Sequence, residues 1–151
     1  MQLDLGLTSF SDSLRLDHHD GRRFVYDPLR SKWLALQPEE LVRQLLVQYL
    51  LQARGYNRNR ITVERGLKVN GLSKRCDLLV FDSAMAPFML IECKAPQVAL
   101  SEAVFRQIAA YNLPLQVPYL LVTNGPVSYC CRMDYSAGRF TFVPELPDYP
   151  G

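Results

Sequence analysis

Asp77 and, fifteen residues further on, Glu92-Cys93-Lys94 are the residues of this chain best suited to chemistry. Strand side chains alternate faces, so Glu92 and Lys94 point to one side and Ile91 and Cys93 to the other. Asp77 stands in the preceding apolar run, Arg75 to Phe81. If the two runs pair as strands, Asp77 stands beside Glu92. Two carboxylates at one sheet edge repel each other and need compensation. A divalent cation that prefers hard oxygen ligands supplies it, and magnesium is typically held by one or two carboxylates plus water and phosphate. Manganese accepts the same donors. Lys94, one strand step beyond Glu92, can hydrogen-bond an attacking water or offset phosphate charge. The chemistry implied is hydrolysis of a phosphodiester by water, with no covalent enzyme intermediate. The plainer alternative is that each carboxylate pairs with a nearby Lys or Arg. Against it, Glu92 and Lys94 punctuate the apolar run Phe88 to Ala95, and polar groups at the end of a central strand need a reason to be there.

The elements that must position these residues follow from pattern and punctuation. Pro38 to Arg54 predicts a helix: Pro38 suits the first turn, Glu39 and Glu40 complement its positive end, and Gly55 ends it. Leu41, Val42, Leu45, Leu46, Tyr49 and Ala53 form its apolar face. At 100° per residue Glu39 borders that face, able to look along a packed sheet, whereas Glu40 lies nearly opposite and is expected to face water. Ile61 to Val69 reads as a strand, Asn70-Gly71 as a turn, Arg75 to Phe81 as a second strand and Phe88 to Lys94 as a third. Ala99 to Tyr111 is a second helix and Tyr119 to Thr123 a fourth strand. Val127 to Cys131 and Phe140 to Val143 are candidate edge strands. Helix, three strands, helix, strand implies an α/β domain with a mixed sheet. Ahead of it, residues 1–35 form an N-terminal extension in which Phe24 to Tyr26 and Lys32 to Leu36 suggest a small hairpin.

These motifs together resemble the PD-(D/E)XK nuclease superfamily, with Cys76 where the superfamily pattern often has proline. The likeness is closer to the N-terminal nuclease domain of type I restriction enzyme R subunits. It rests on Pro38-Glu39-Glu40-Leu41-Val42-Arg43-Gln44, Lys74-Arg75-Cys76-Asp77 and Ile91-Glu92-Cys93-Lys94-Ala95-Pro96. Gln107-Ile108-Ala109-Ala110-Tyr111-Asn112, similar to a QxxxY motif, and Thr123-Asn124-Gly125 complete it. The likeness runs from about Leu36 to the C-terminus. It implies a restriction-endonuclease-like three-layer core over residues 36–151. It also implies Asp77 and Glu92 as metal-binding carboxylates, Lys94 as catalytic lysine and Glu39 as the acid often contributed by the first helix. Gln107 and Tyr111 would order the site or touch DNA near the cut. Their spacing of four puts them on one helical face, which ordinary boundary residues would share. Glu64 is either an accessory ligand or a salt-bridge partner of Arg65 or Arg75.

The chain has 151 residues, enough for one domain with a real core and not for two. Its 48% hydrophobic and 21% charged residues exclude wholesale disorder. No apolar stretch is long enough to cross a bilayer, and Asp4 with no basic start does not read as a signal peptide. The expectation is a cytoplasmic protein. Four cysteines without a CxxC pair, and histidines only at the adjacent His18 and His19, argue against structural zinc and against a disulfide framework.

The formal charge is only +2, but it is unevenly spread. Arg54, Arg58, Arg60, Arg65, Lys68, Lys74 and Arg75 share one segment with a single acid, Glu64, a local +6 directly ahead of Asp77. Such a segment suits contact with nucleic-acid phosphates, though exposed arginines also occur on plain solvated loops. No helix-turn-helix or zinc finger indicates sequence reading, and no Walker motif supplies a motor. The sequence therefore points to a magnesium-dependent DNA endonuclease domain, acting on duplex and either cutting unaided or recruited by a protein that supplies targeting or a motor. Two alternatives stay open: a noncatalytic nucleic-acid-binding or assembly module that keeps the fold, and a nuclease directed at RNA.

Overall fold

The computed structural model describes residues 1–63, 67–69, 72–74 and 77–151, with 67–69 and 72–74 described by backbone alone. A six-stranded sheet forms the middle layer. Its strands are β4 (Ile61–Thr62), β7 (Leu78–Phe81), β8 (Pro87–Cys93), β9 (Tyr119–Thr123), β10 (Ser128–Asp134) and β11 (Arg139–Phe142). Their spatial order is β11-β10-β9-β8-β7-β4. β8 and β9 run parallel and the other neighbours antiparallel. The parallel pair is the one joined through a helix, α2 (Glu102–Asn112), as a parallel connection requires.

Both faces of the sheet are covered, so its central strands are apolar throughout. On one face α1 (Pro38–Gln48) lays Val42, Leu45 and Leu46 against Leu78, Val80, Met89 and Ile91. On the other, Phe105 and Ala109 of α2 pack with Leu79, Leu90, Leu120 and Val122. The alternation along β7 and β8 is thus divided between two cores. This is the α/β, three-layer arrangement with a mixed central sheet that the element order implied.

Several boundaries differ from expectation for local reasons. The last turn of α1 widens into a π-helical turn, Tyr49–Ala53, before Gly55 turns the chain at φ 63°. α2 starts at Glu102, not Ala99, because the Ser101 hydroxyl caps it by accepting from the Val104 amide at 3.2 Å. The strand expected over 61–69 is two. β4 pairs with β7 for two residues, while β5 (Leu67–Val69) turns back onto β6 (Leu72–Lys74). Asn70 and Gly71, the expected turn, lie outside the described residues, as do Arg75 and Cys76. β10 is not an edge strand: it sits between β9 and β11, and Ser128 to Cys131 are buried.

The N-terminal hairpin has a third strand. β1 (Leu16–His19), β2 (Arg22–Asp27) and β3 (Lys32–Ala35) form an antiparallel sheet. The first residues join the main body. Leu3 and Leu7 are buried in the core beneath α1, and the Leu3 amide donates to the Ser128 carbonyl at 2.8 Å. Among the described residues no helix is long and apolar enough to cross a membrane.

Phe105 is fully buried, with its ring against Tyr129 and Phe142 at centroid distances of 5.6 and 5.3 Å. Phe105→Ala is expected to destabilise the domain by about 3–5 kcal/mol, read as a lower midpoint in urea unfolding.

Candidate active site

The pairing of β7 with β8 brings the two acids together. Leu78 lies opposite Ile91, so the next step outward sets Asp77 opposite Glu92, and the Asp77 amide donates to the Ile91 carbonyl at 3.3 Å. The Cys93 amide in turn donates to Asp77 Oδ2 at 2.7 Å, fixing the carboxylate against the end of β8. Lys94 continues the β8–β9 ladder, its amide donating to the Thr123 carbonyl at 2.8 Å. Its ammonium lies 3.9 Å from Glu92 Oε2. Thr123-Asn124-Gly125 supports this corner from behind. The Thr123 hydroxyl accepts from the Gly125 amide, and the Asn124 side chain donates to the Val98 carbonyl, bracing the loop that leads away from Lys94. Gly125 holds φ 102°, a conformation that favours glycine.

A groove of about 430 Å³ opens at this end of the sheet, lined by Glu39, Asp77, Glu92, Cys93, Lys94, Gln107, Ile108 and Tyr111. Glu39 comes from the first turn of α1, and Gln107 and Tyr111 from one face of α2. Tyr111 is 76% exposed at the rim. The three acids, the lysine and the Gln/Tyr pair named from sequence therefore share one cleft. Among the described residues, no cluster of three or more His, Cys, Asp or Glu side chains is close enough together to hold an ion.

Arg43 dominates the electrostatics of this end, although the sequence marks it only as one member of the Pro38–Gln44 motif. Its guanidinium bonds Asp77 Oδ1 at 2.7 Å, Glu40 Oε1 at 2.5 Å and Glu39 Oε1 at 3.0 Å. Burial opposes its charge, but the Asp77 hydrogen bond and the charges of Glu40 and Asp77 outweigh that cost and raise its pKa still further. Glu40 does not face water as expected. Its side chain is only 11% exposed, takes a hydrogen bond from Gln44 and lies 3.8 Å from Arg30. Arg30 in turn pairs with the fully buried Asp27 of β2 at 2.6 Å. Alternating charges thus run from the N-terminal sheet to the groove: Asp27, Arg30, Glu40, Arg43, Asp77. The signal in the sequence was the i, i+3 and i, i+4 spacing of Arg43 from Glu40 and Glu39.

Of the basic segment, Arg54, Arg58 and Arg60 do not gather at the groove. Arg54 bonds the Leu146 carbonyl and Asp148. Arg58 bonds the Pro28 carbonyl at 2.6 Å. Arg60 reaches the Met85 sulfur, at the end of β8 remote from Glu92. Glu64, Arg65 and Arg75 lie outside the described residues, and Lys68 and Lys74 are described only by their backbone. Of the cysteines, Cys93 borders the groove and is buried in the α1 core. Burial, with Asp77 nearby, pushes its thiol well above the usual range.

Fold and cleft define a restriction-endonuclease-like α/β domain whose strand ends carry a concentration of acids. The family described as type I restriction enzyme R protein N terminus matches residues 38–147, and the chain belongs to it. Membership supports a nuclease-related role. A solved fragment assigned as an HsdR subunit of a type I restriction enzyme from Vibrio vulnificus YJ016 is similar at 21% identity and a TM-score of 0.48. That likeness covers 76% of this chain and 24% of the other, so this chain spans about a quarter of its length. No curated protein matches.

Removing Arg43 leaves Glu40 and Asp77 facing each other without their shared counter-charge. Arg43→Ala is expected to cost about 2–4 kcal/mol in urea unfolding, the scale for breaking a largely buried pair. Arg43→Lys should recover only part of it, since one ammonium cannot serve three carboxylates in a planar fork.

Proposed function

We propose that this chain is a metal-dependent nuclease domain that hydrolyses phosphodiester bonds in DNA, with Asp77, Glu92 and Lys94 as its centre. What carries the proposal is one cleft, lined by Asp77 and Glu92 from adjacent strand ends, Lys94 one residue further and Glu39, Gln107 and Tyr111 from the two covering helices. The donor set fits magnesium or manganese. It offers carboxylate oxygens and no thiolate or imidazole, and magnesium takes one or two carboxylates with water and phosphate completing its shell. Among the described residues Asp77 accepts one hydrogen bond from Arg43 and one from the Cys93 amide. A carboxylate has about four acceptor sites in all. Asp77 and Glu92 would hold the ion, with Glu39 contributing from α1. When bound, the metal supplies an acidified water and charge stabilisation at the phosphate.

The chain's own groups supply the rest. Lys94 is placed to hydrogen-bond the attacking water or to offset charge on the phosphate. The Cys93 amide holds Asp77 in orientation. Gln107 supports the cleft wall opposite, and Tyr111 offers an exposed ring at the rim where DNA would pass. Duplex DNA is the proposed substrate, with Lys68, Lys74, Arg65 and Arg75 as backbone contacts ahead of Asp77 and Glu64 as an accessory acid. Family membership also favours a protein partner that brings targeting or motor function, in the cytoplasm.

One observation favours a second reading, a noncatalytic module that binds nucleic acid or assembles a complex. Arg43 already compensates Glu39, Glu40 and Asp77, so the acids do not require an ion to coexist. Cleavage of duplex DNA, single-stranded DNA and RNA in magnesium or manganese separates the possibilities. Asp77→Ala and Lys94→Ala should each abolish cutting of duplex DNA while leaving the unfolding midpoint of Lys94→Ala near that of the parent. Undiminished cutting by Lys94→Ala would sink the mechanism. Salt-sensitive DNA binding without cutting would favour the second reading, and preferential cutting of RNA would reassign the substrate.

A further inference from the structure

We propose that the outer face of the N-terminal sheet is a second nucleic-acid site, which holds single-stranded DNA by base stacking away from the cleft. Alternation in β2 turns Val25 and Asp27 inward, where both are fully buried, and leaves Tyr26 on the opposite face. Trp33 of β3 is its cross-strand partner. The two rings meet edge to face at 5.4 Å, and Trp33 remains 43% exposed. The Arg15 guanidinium lies over both, 4.3 Å from the Tyr26 ring centre and 5.5 Å from that of Trp33.

A cavity of about 310 Å³ adjoins this stack, at the small end of the range for ligand sites. Arg15, Tyr26, Ser31, Gln48 and Arg58 stand among its walls. The bond from Arg58 to the Pro28 carbonyl fixes one guanidinium there and leaves other N–H donors available. Exposed Arg22 shares the Tyr26 face by the same alternation, whereas exposed Arg23 and Lys32 lie on the Val25 and Asp27 side of the sheet. Exposed Asp17, cross-strand from Phe24, shares the face and accepts from the His18 amide, and Asp20 at the turn pairs with His19.

This combination selects its ligand by chemistry. The exposed Trp33 ring, beside half-buried Tyr26 and the Arg15 guanidinium, offers a flat surface to a nucleobase, and Arg15, Arg22 and Arg58 offer donors to the neighbouring phosphate. Bases of a duplex are already stacked on each other, so this face favours unpaired strand. Gln48 lies nine residues along α1 from Glu39, roughly 13 Å at helical rise and about half a turn round the helix, so the stack and the cleft are separate places. The inference needs neither Asp77 nor a metal and stands apart from the cleavage proposal.

Trp33 is the sole tryptophan, so its fluorescence reports on this face alone. With chelator present to remove divalent ions, a short oligothymidylate should quench it saturably at low salt, and less as salt rises. Arg15→Gln should weaken binding about tenfold, and so should Tyr26→Leu, the scale of one lost stacking contact. Arg15 is exposed, so its variant should melt like the parent. Lys94→Ala should bind as the parent does, which keeps failure of the cleavage mechanism distinct from failure here. Absence of quenching at low salt would overturn the proposal. Equal affinity for the matching duplex or for heparin would do the same by showing charge attraction alone, and tighter binding of an oligouridylate would overturn the assignment to DNA.

Discussion

One guanidinium makes the candidate site physically possible. The register of β7 on β8 forces Asp77 and Glu92 side by side at the end of an apolar sheet, and the first turn of α1 adds Glu39 and Glu40 to the same neighbourhood. Like charges this close, partly shielded from water, oppose folding unless they are balanced. Arg43 balances three of them at once, through bonds of 2.5–3.0 Å. It can do so only because Val42, Leu45 and Leu46 seat α1 on the sheet in a single rotation. The packing of the α1 core and the electrostatics of the cleft are therefore one constraint. A helix rotated to bury a different stripe would carry Arg43 away from Asp77.

The residues of the cleft were largely legible in the sequence, because two periodicities govern them. Period two along the strands predicts that Glu92 and Lys94 share a side and that Asp77 can join them. Period 3.6 along α2 predicts that Gln107 and Tyr111 do likewise. Glu40 shows where this logic stops. A helical wheel divides residues between one apolar side and water, but α1 has a second neighbour, the turn between β2 and β3 that carries Arg30. That contact reaches across β3 to a residue ten positions earlier, and the periodicity of α1 alone does not announce it.

Three members of the basic segment, Arg54, Arg58 and Arg60, stand away from the cleft for a different reason. Arg54, Arg58 and Arg60 are close to Asp77 in sequence, but β4 runs antiparallel to β7, with Ile61 opposite Val80 and Thr62 opposite Leu79. Residues that lead into β4 therefore stand at the far end of β7 from Asp77. Charge counted along the chain was folded out along the sheet, and each arginine found its own acceptor: the C-terminal tail for Arg54, the Pro28 carbonyl for Arg58 and the Met85 sulfur for Arg60. A net charge of a window is a statement about a surface only when the topology keeps that window together.

The N-terminal sheet shows how one strand can belong to two sites. Tyr26 and Asp27 are consecutive, so the pleat must send them to opposite faces. Asp27, buried without exposure, holds Arg30, and through Glu40 and Arg43 its charge reaches Asp77. Tyr26 carries the stack of Trp33 and Arg15 on the other side. A buried carboxylate is costly unless it is paired, and Asp27 meets that demand with one guanidinium and with the backbone amides of Leu29 and Arg30. Those bonds also shape the turn between β2 and β3, which sets where Trp33 enters its strand. The acid that steadies the cleft from a distance and the turn that presents the aromatic face are thus products of the same few hydrogen bonds, and neither can be altered without moving the other.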